Sequence, residues 1–390
     1  MTTAPSSPAA ARHLHLGLAL DGAGAHPASW RRPGAAEALL DPRRLTSHAR
    51  AAEAGAFGFV SLEDDFDPPR PGRPTVPFRF DATLALARLA PVTTTIGLLA
   101  SASTTHTEPF HQNKNLATLD LVSGGRGAWH VTVSRTPEAA ARFGRKAAAP
   151  EAELWAEADD AIDAVTRLWD SWEDDAVIRD VPTGRYLDRD KVHYVDFEGR
   201  FFSVRGPSIT PRSPQGQLPI AITVGDPASL AVAARRADIA IVTPRTFADA
   251  QQARHTVRTA VAAAGRDADD VTVIVRARVG EPELRAELDA AEASSVAAHE
   301  IDLVGSAATL TDTLVHWFQN DAADGFLLLP DTVPDTLEWL TAEVTPALQA
   351  LGLLPTPSLG ETLRDRLGLP RPANRYATAT VNATDNEVAS

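Results

Sequence analysis

Residues 94 to 133, TTIGLLASASTTHTEPFHQNKNLATLDLVSGGRGAWHVTV, hold one complete unit of the pattern that decides the fold. A short apolar run at 94–101 has the length and character of a strand. A helical segment at 113–122 follows, and a second strand-like run at 127–133 closes the unit. Parallel strands joined through helices bury both faces of a sheet, so a chain that repeats this unit belongs to the α/β class.

The alternation extends in both directions. Further strand candidates lie at 13–20, 57–62, 219–225, 239–243, 271–279 and 325–330. Between them run Ala-rich amphipathic segments, among them 45–54, 82–89, 151–169, 229–236 and 248–264. A doubly wound open sheet shows the same alternation, so periodicity alone does not choose. Eight units favour a TIM-type (β/α)8 barrel, which takes 390 residues as one domain with insertions. The barrel domain is expected over 13–372, between an N-terminal arm at 1–12 and a polar, aperiodic tail at 373–390.

The rhythm breaks at about 174–217, an insertion between the fourth helix and the fifth strand. A structureless loop of that length is unusual in a compact domain. The sequence predicts a hairpin, with 192–197 and 200–204 flanking a Glu198-Gly199 turn. It would serve as a lid over the barrel mouth, as a subunit contact, or as a decoration without a role.

Composition excludes several functions. The absence of cysteine removes disulfides, thiolate metal sites and cysteine nucleophiles, and fits a cytoplasmic protein. A net charge of −14 opposes nucleic-acid binding, which needs a basic footprint. No run approaches the roughly 18 apolar residues of a membrane span, and the first residues lack the basic and apolar regions of a secretory signal.

Several strings resemble the luciferase-like flavin monooxygenases, in the branch that contains nitrilotriacetate and dibenzothiophene-sulfone monooxygenases. They are Gly24-Ala25-His26-Pro27 leading to Trp30-Arg31, the stretch from Phe57 to Asp64, and Ala102-Ser103-Thr104-Thr105. Leu119-Asp120 through Ser123-Gly124-Gly125-Arg126 to Trp129 continues the match. The more specific strings are Leu168-Trp169-Asp170-Ser171-Trp172, Gly199-Arg200-Phe201-Phe202 to Gly206-Pro207, and Thr362-Leu363-Arg364 to Leu367-Gly368-Leu369-Pro370. Together they span about 13–372.

The resemblance implies a barrel whose C-terminal mouth holds reduced FMN supplied by a separate flavin reductase. The chain would insert one oxygen atom of O2 into a small organic substrate, as a homodimer or higher homo-oligomer. It places Asp64, Ser103 and Thr104 beside the flavin ring, though an Asp after a strand also serves as a helix cap. His130 stands after Trp129, where the family has Asn. It would orient substrate, act as acid or base, or sit hydrogen-bonded in the barrel interior. His26, in the first loop, would line the pocket.

The phosphate side departs from the family. The expected His and Tyr at the start of the fourth helix are Glu151 and Trp155 here. After the fifth strand, Gly225 is followed by Asp226-Pro227 in place of a phosphate-binding Ser, with Ser229 as the nearest substitute. A hydrogen bond to a charged group contributes roughly 1.5–3 kcal/mol. An ionised carboxylate about 4 Å from a phosphate opposes binding by ~4 kcal/mol at an effective dielectric near 20. The alternative reading is therefore a family member that has lost FMN, acting as a flavin-independent enzyme or a non-catalytic partner subunit.

Other constellations are weak. His13-x-His15 lacks a third metal ligand, and no metal site is expected. His106 and His111 read as cap and surface histidines. Gly22 and Gly24 lack the third glycine of a dinucleotide fingerprint, and the adjacent Asp64 and Asp65 say nothing about spacing across a sugar.

Overall fold

A computed structural model describes residues 12–67, 76, 78–292, 300–355 and 357–377. The expected arm at 1–11 and the tail from 378 onward lie outside the described residues, while 373–377 are described.

Eight parallel strands close into a barrel: β1 His15–Ala19, β2 Phe59–Leu62, β3 Gly97–Ser103, β4 Gly127–Thr132, β5 Ile220–Thr223, β6 Ile239–Val242, β7 Thr272–Gly280 and β8 Gly325–Pro330. Each pairs with the next, and β8 returns to β1 through Leu16↔Phe326 and Leu18↔Leu328. The eight strand candidates correspond to these eight strands. One further strand, Ile301–Val304, escaped the pattern because it is only half buried. It pairs with the upper part of β7, beyond the end of β6.

The surrounding helices are α1 Pro42–Ala54, α2 Ala82–Leu89, α3 Pro109–Ser123, α4 Glu151–Asp170, α5 Pro227–Arg236, α6 Phe247–Ala263 and α7 Ala307–Gln319. The last helix, α8, runs through Asp335–Trp339, a π turn at Leu340–Val344, and Thr345–Ala350. Among the described residues no helix is long and apolar enough to cross a membrane.

Alternation along each strand divides inside from outside, as a pleated strand requires. Leu16, Leu18 and Val60 pack outward against the helices. Ala19, Phe59, Leu99, Ala128, Ala221 and Leu327 point inward and form an apolar layer across the barrel. Gly17 leaves room for Phe59 in that layer, since a Cβ at Gly17 would stand 2.2 Å from the Phe59 ring. Leu363, Leu367 and Leu369 join the layer from the C-terminal segment, with Leu363 against Gly97 at the start of β3. They plug the bottom of the barrel and leave the top free.

The segment between α4 and β5 carries two small antiparallel hairpins. Phe197–Glu198 pairs with Ser203–Val204, and Val177–Asp180 pairs with Arg185–Leu187. The first hairpin is shorter than expected and turns over Gly199–Phe202, where Gly199 N–H donates to the Phe202 carbonyl at 3.0 Å. The second was not foreseen, because its exposed strands leave no apolar alternation. Val195 and Phe197 pack on Ala164 and Leu168 of α4. Arg212 anchors the segment, reaching Asp170 at 3.0 Å, Asp174 at 3.1 Å and the Pro372 carbonyl at 2.7 Å. The segment thus clothes α4. The start of the tail is docked rather than free: Asn374 donates to the carbonyls of Asp170 and Trp172, and Tyr376 stacks on His193.

Candidate functional site

Continuing the inward parity above the apolar layer places polar side chains at the barrel mouth. The series Phe59, Ser61, Glu63 runs up β2; Leu99, Ser101, Ser103 runs up β3; Ala128, His130, Thr132 runs up β4. Ala19 leads to Asp21 beyond β1, and Ile274 leads to Arg276 on β7.

His130 bridges two strands, with Nδ1 at 2.9 Å from the Ser101 hydroxyl and Nε2 at 2.9 Å from the Thr223 hydroxyl. Burial pulls its pKa down to about 4, Glu63 opposing and Arg276 assisting, so the imidazole is neutral at pH 7. Both nitrogens are engaged by barrel hydroxyls. In contrast, the hydroxyls of Ser61 and Thr132 are buried without a hydrogen-bond partner among the described residues. Orphan hydroxyls are rare in protein interiors.

Above this layer Glu63 pairs with Arg276, which also faces Glu300 at 3.2 Å. Burial alone would raise the Glu63 carboxyl, but Arg276, through its charge and its hydrogen bond, holds it below the ordinary carboxylate range. Asp21 accepts the Glu63 N–H at 2.8 Å and forms no ion pair among the described residues. Burial, with Glu63 alongside, pushes Asp21 up to about 7.

Asp21 and Glu63 line a cavity of about 820 Å³ beside the mouth, between the loop after β1, the start of α1 and the face of α2. Its walls combine apolar side chains, Leu20, Leu39, Leu45, Leu62, Phe78 and Leu84, with the charged Asp41, Asp65, Asp81, Arg79 and Arg88. Arg44 of α1 also lines it. One Nη of Arg44 donates to the Gly22 carbonyl at 2.7 Å, its Nε is buried without a partner, and no carboxylate among the described residues pairs with it.

The candidates from sequence lie in several places. Asp64 falls on the outward parity of β2 and reaches α2, where it accepts the Ala82 N–H at 3.3 Å; burial raises its carboxyl to about 6. Ser103 meets the Ser134 hydroxyl at 3.0 Å, and Thr104 faces the Thr132 carbonyl at 3.4 Å. These contacts knit the end of β3 to β4. His26 lines the cavity but is held on both sides, accepting the Ala28 N–H at Nδ1 and meeting Asp289 at Nε2, both at 3.1 Å. His106 is not the surface residue expected. It is buried, stacked on Phe143 at 4.6 Å, and both ring nitrogens lack partners. No segment of 174–217 lines the cavity, so the lid reading finds no contact there. Among the described residues no cluster of His, Asp and Glu is arranged to hold a metal.

The starts of α4 and α5 are acidic. Glu151 pairs with Arg135 through bonds of 2.6 and 2.9 Å and accepts the Trp155 indole N–H at 3.1 Å. Asp226 caps α5, accepting from Ala228 N–H at 2.8 Å and Ser229 N–H at 3.0 Å. The Ser229 hydroxyl is consumed in the same cap, accepting from the Gly225 and Asp226 N–H groups and donating to Asp226. Burial works to raise Asp226, yet these hydrogen bonds, with Glu151 also in reach, keep it below its ordinary value. It therefore remains a carboxylate at neutral pH.

Asp21, Glu63, Arg276 and Arg44 escaped sequence reasoning. The signal for the first three was present in strand parity: Phe59, Ser61 and Glu63 share a face, and Asp64 is on the other.

Comparison with known proteins gives a consistent picture. The family model described as luciferase-like monooxygenase matches residues 23–338. N-acetyl-S-(2-succino)cysteine monooxygenase of Bacillus subtilis (strain 168) is 30% identical over 437 aligned positions, covering 94% of this chain and 99% of that protein. Nitrilotriacetate monooxygenase component A of Aminobacter aminovorans is 28% identical, covering 94% and 98%. Among solved structures, EDTA monooxygenase from Chelativorans sp. BNC1 superposes with a TM-score of 0.80 at 25% identity, covering 92% of this chain and 99% of that one.

Proposed function

The chain belongs to the luciferase-like monooxygenase family, and on that premise we propose that it inserts one oxygen atom of O2 into a small organic substrate, using reduced flavin from a separate reductase. The observation that carries this reading is the cavity opening onto Asp21 and the Glu63–Arg276 pair at the C-terminal end of the barrel. Barrel enzymes place their chemistry at that end. The reduced flavin, when bound, supplies the electrons that split O2, one oxygen going to substrate and the other to water.

A flavin ring suits the upper barrel. It needs an apolar surround with a few hydrogen-bonding groups, and the unpartnered hydroxyls of Ser61 and Thr132 provide them above the Phe59 layer. Ser103 and Thr104 form the adjoining rim, with Asp64 behind it. His130 holds Ser101 and Thr223 in place and presents no free nitrogen, so its role in this reading is to shape the floor. Asp21, poised near neutrality, is the group able to hold or release a proton beside the cavity. The buried Leu20, Leu45 and Leu62 shield it from water.

Arg44 bears on the substrate. The Arg44 Nε, buried and without a partner among the described residues, lines a cavity of mixed apolar and charged walls, where an anion would pair with it, and a carboxylate meets a guanidinium through two parallel bonds. Two relatives are named for N-acetyl-S-(2-succino)cysteine and nitrilotriacetate, both of which carry carboxylates. The substrate we propose is a small organic anion whose apolar part lies against the leucines.

The reading also takes the chain to work in the cytoplasm as a homo-oligomer. Exposed Val181, Tyr186, Tyr194 and Ile209 on the segment that clothes α4 support a contact with a second copy.

The test is incubation with a flavin reductase, NADH and a panel of small carboxylates under ¹⁸O2. One ¹⁸O atom in the product is the expected result. Product oxygen drawn from water, or product formed without O2, would sink the proposal.

A further inference from the structure

The N-terminus of a helix attracts anions through its free N–H groups and its dipole, and a phosphate at a barrel mouth ordinarily rests on one. Helices of a (β/α)8 barrel begin at the mouth, so their first turns are the places open to a phosphate. Of the eight helices named above, seven begin with a carboxylate of their own. Asp41 caps α1, Asp81 caps α2, Glu108 precedes α3, Glu151 and Glu153 open α4, Asp226 caps α5, Asp249 lies in the first turn of α6, and Asp335 starts α8. Only α7, capped by Ser306, begins without one.

The starts of α4 and α5 lie together, Glu151 and Asp226 being within reach of each other, and each carries its own acid. At α5 the Asp226 carboxylate takes the N–H groups of Ala228 and Ser229, Pro227 offers no N–H, and the Ser229 hydroxyl is held in the cap. At α4 the Trp155 indole and the Arg135 guanidinium both point at Glu151. A dianion arriving here would meet two carboxylates, with the Arg135 guanidinium already paired to Glu151 and the first-turn N–H groups and hydroxyl of α5 already taken. Each charge-assisted hydrogen bond forgone costs on the order of tenfold to a hundredfold in affinity.

We propose that this barrel holds its flavin without a seat for the terminal phosphate, so that riboflavin serves it at least as well as FMN. The proposal rests on the flavin-dependent reading above and deepens it by naming the form of the cofactor. A ribityl hydroxyl, unlike a phosphate, is neutral and can donate a hydrogen bond to a carboxylate such as Glu151 or Asp226.

Anaerobic equilibrium dialysis of the full chain against reduced FMN and reduced riboflavin tests it. Wild type is expected to bind the two within about threefold, or riboflavin more tightly. The double variant Glu151→Gln, Asp226→Asn keeps an acceptor for Trp155 and a good helix cap while removing both charges. It is expected to tighten FMN by roughly tenfold or more with riboflavin little changed. Wild-type preference for FMN of about thirtyfold or more would overturn the proposal and leave the flavin-dependent function standing. Failure of folded protein to bind either flavin at several hundred micromolar would instead remove the functional reading on which it rests.

Discussion

The carboxylate of Asp21 accepts the backbone N–H of Glu63 at 2.8 Å, so two acidic residues just past neighbouring strands stand side by side while, among the described residues, only Glu63 is ion-paired, to Arg276. That asymmetry separates their protonation. Glu63 is held ionised and Asp21 is pushed up to about 7.

A carboxyl raised in the folded state binds its proton more tightly there than in the unfolded chain. Asp21 therefore costs nothing in acid, and its cost grows as pH rises from about 4 through about 7. Asp21→Asn keeps the acceptor for Glu63 N–H and removes the charge. Its melting temperature is expected to exceed wild type by a few degrees above about pH 8, on the order of 1–2 kcal/mol, and to converge with it near pH 4. Thermal unfolding across pH is the measurement. A variant less stable than wild type at alkaline pH would contradict the assignment.

Burial holds His15, His48 and His130 each at about 4. A histidine depressed in this way contributes stability above its unfolded value near 6.5 that is lost as pH falls toward 4. Wild type is expected to weaken across that window. His130→Gln should flatten the slope while costing about 1–3 kcal/mol for the disturbed Ser101 and Thr223 hydroxyls. Denaturant unfolding at several pH values reads both effects, and an unchanged slope would show that His130 is already charged in the fold.

Arg44→Met retains the stem that packs on the cavity and deletes the charge. For anionic substrates the expected result is a rise in KM of roughly tenfold to a hundredfold with kcat little altered, and no such effect on neutral analogues. Steady-state kinetics on a matched acid and amide pair would decide. Equal losses on both members of the pair would mean that Arg44 merely supports the loop at Gly22.

The apolar layer makes its own prediction. Gly17→Ala drives a methyl to 2.2 Å from the Phe59 ring. The expected destabilisation is about 3 kcal/mol, and much of it should disappear in a Phe59→Leu background, where the ring is gone. Additive effects in the double variant would place the Phe59 ring elsewhere.

The barrel was legible because its strands announce themselves as short apolar runs alternating with amphipathic helical segments, from the run ending at Leu20 to the run ending at Pro330. The site was less so. Asp64 drew attention because it matches a family position, yet strand parity sends it outward to the α2 N-terminus and sends Glu63 inward. Arg276 sits in the run Val275-Arg276-Ala277 with no local mark of function, and only barrel closure brings it to Glu63, 213 residues away. Arg44 lies in a first helical turn, where a charged residue is ordinary, and its missing partner becomes visible only against the cavity wall. Conversely, Glu151, Trp155 and Pro227 stood out from sequence alone, and the structure locates them in local contacts between residues close in the chain.

The central claim is that reduced flavin binds at the mouth beside Asp21, Glu63 and Arg276. Calorimetric titration of the purified chain with photoreduced riboflavin under anaerobic conditions tests it most directly, with Arg276→Met as the paired variant. The expected result is low-micromolar binding by wild type, and weaker binding by the variant in a state shown to be folded by circular dichroism. No heat of binding at several hundred micromolar by folded wild type, or equal affinity in wild type and variant, would contradict it.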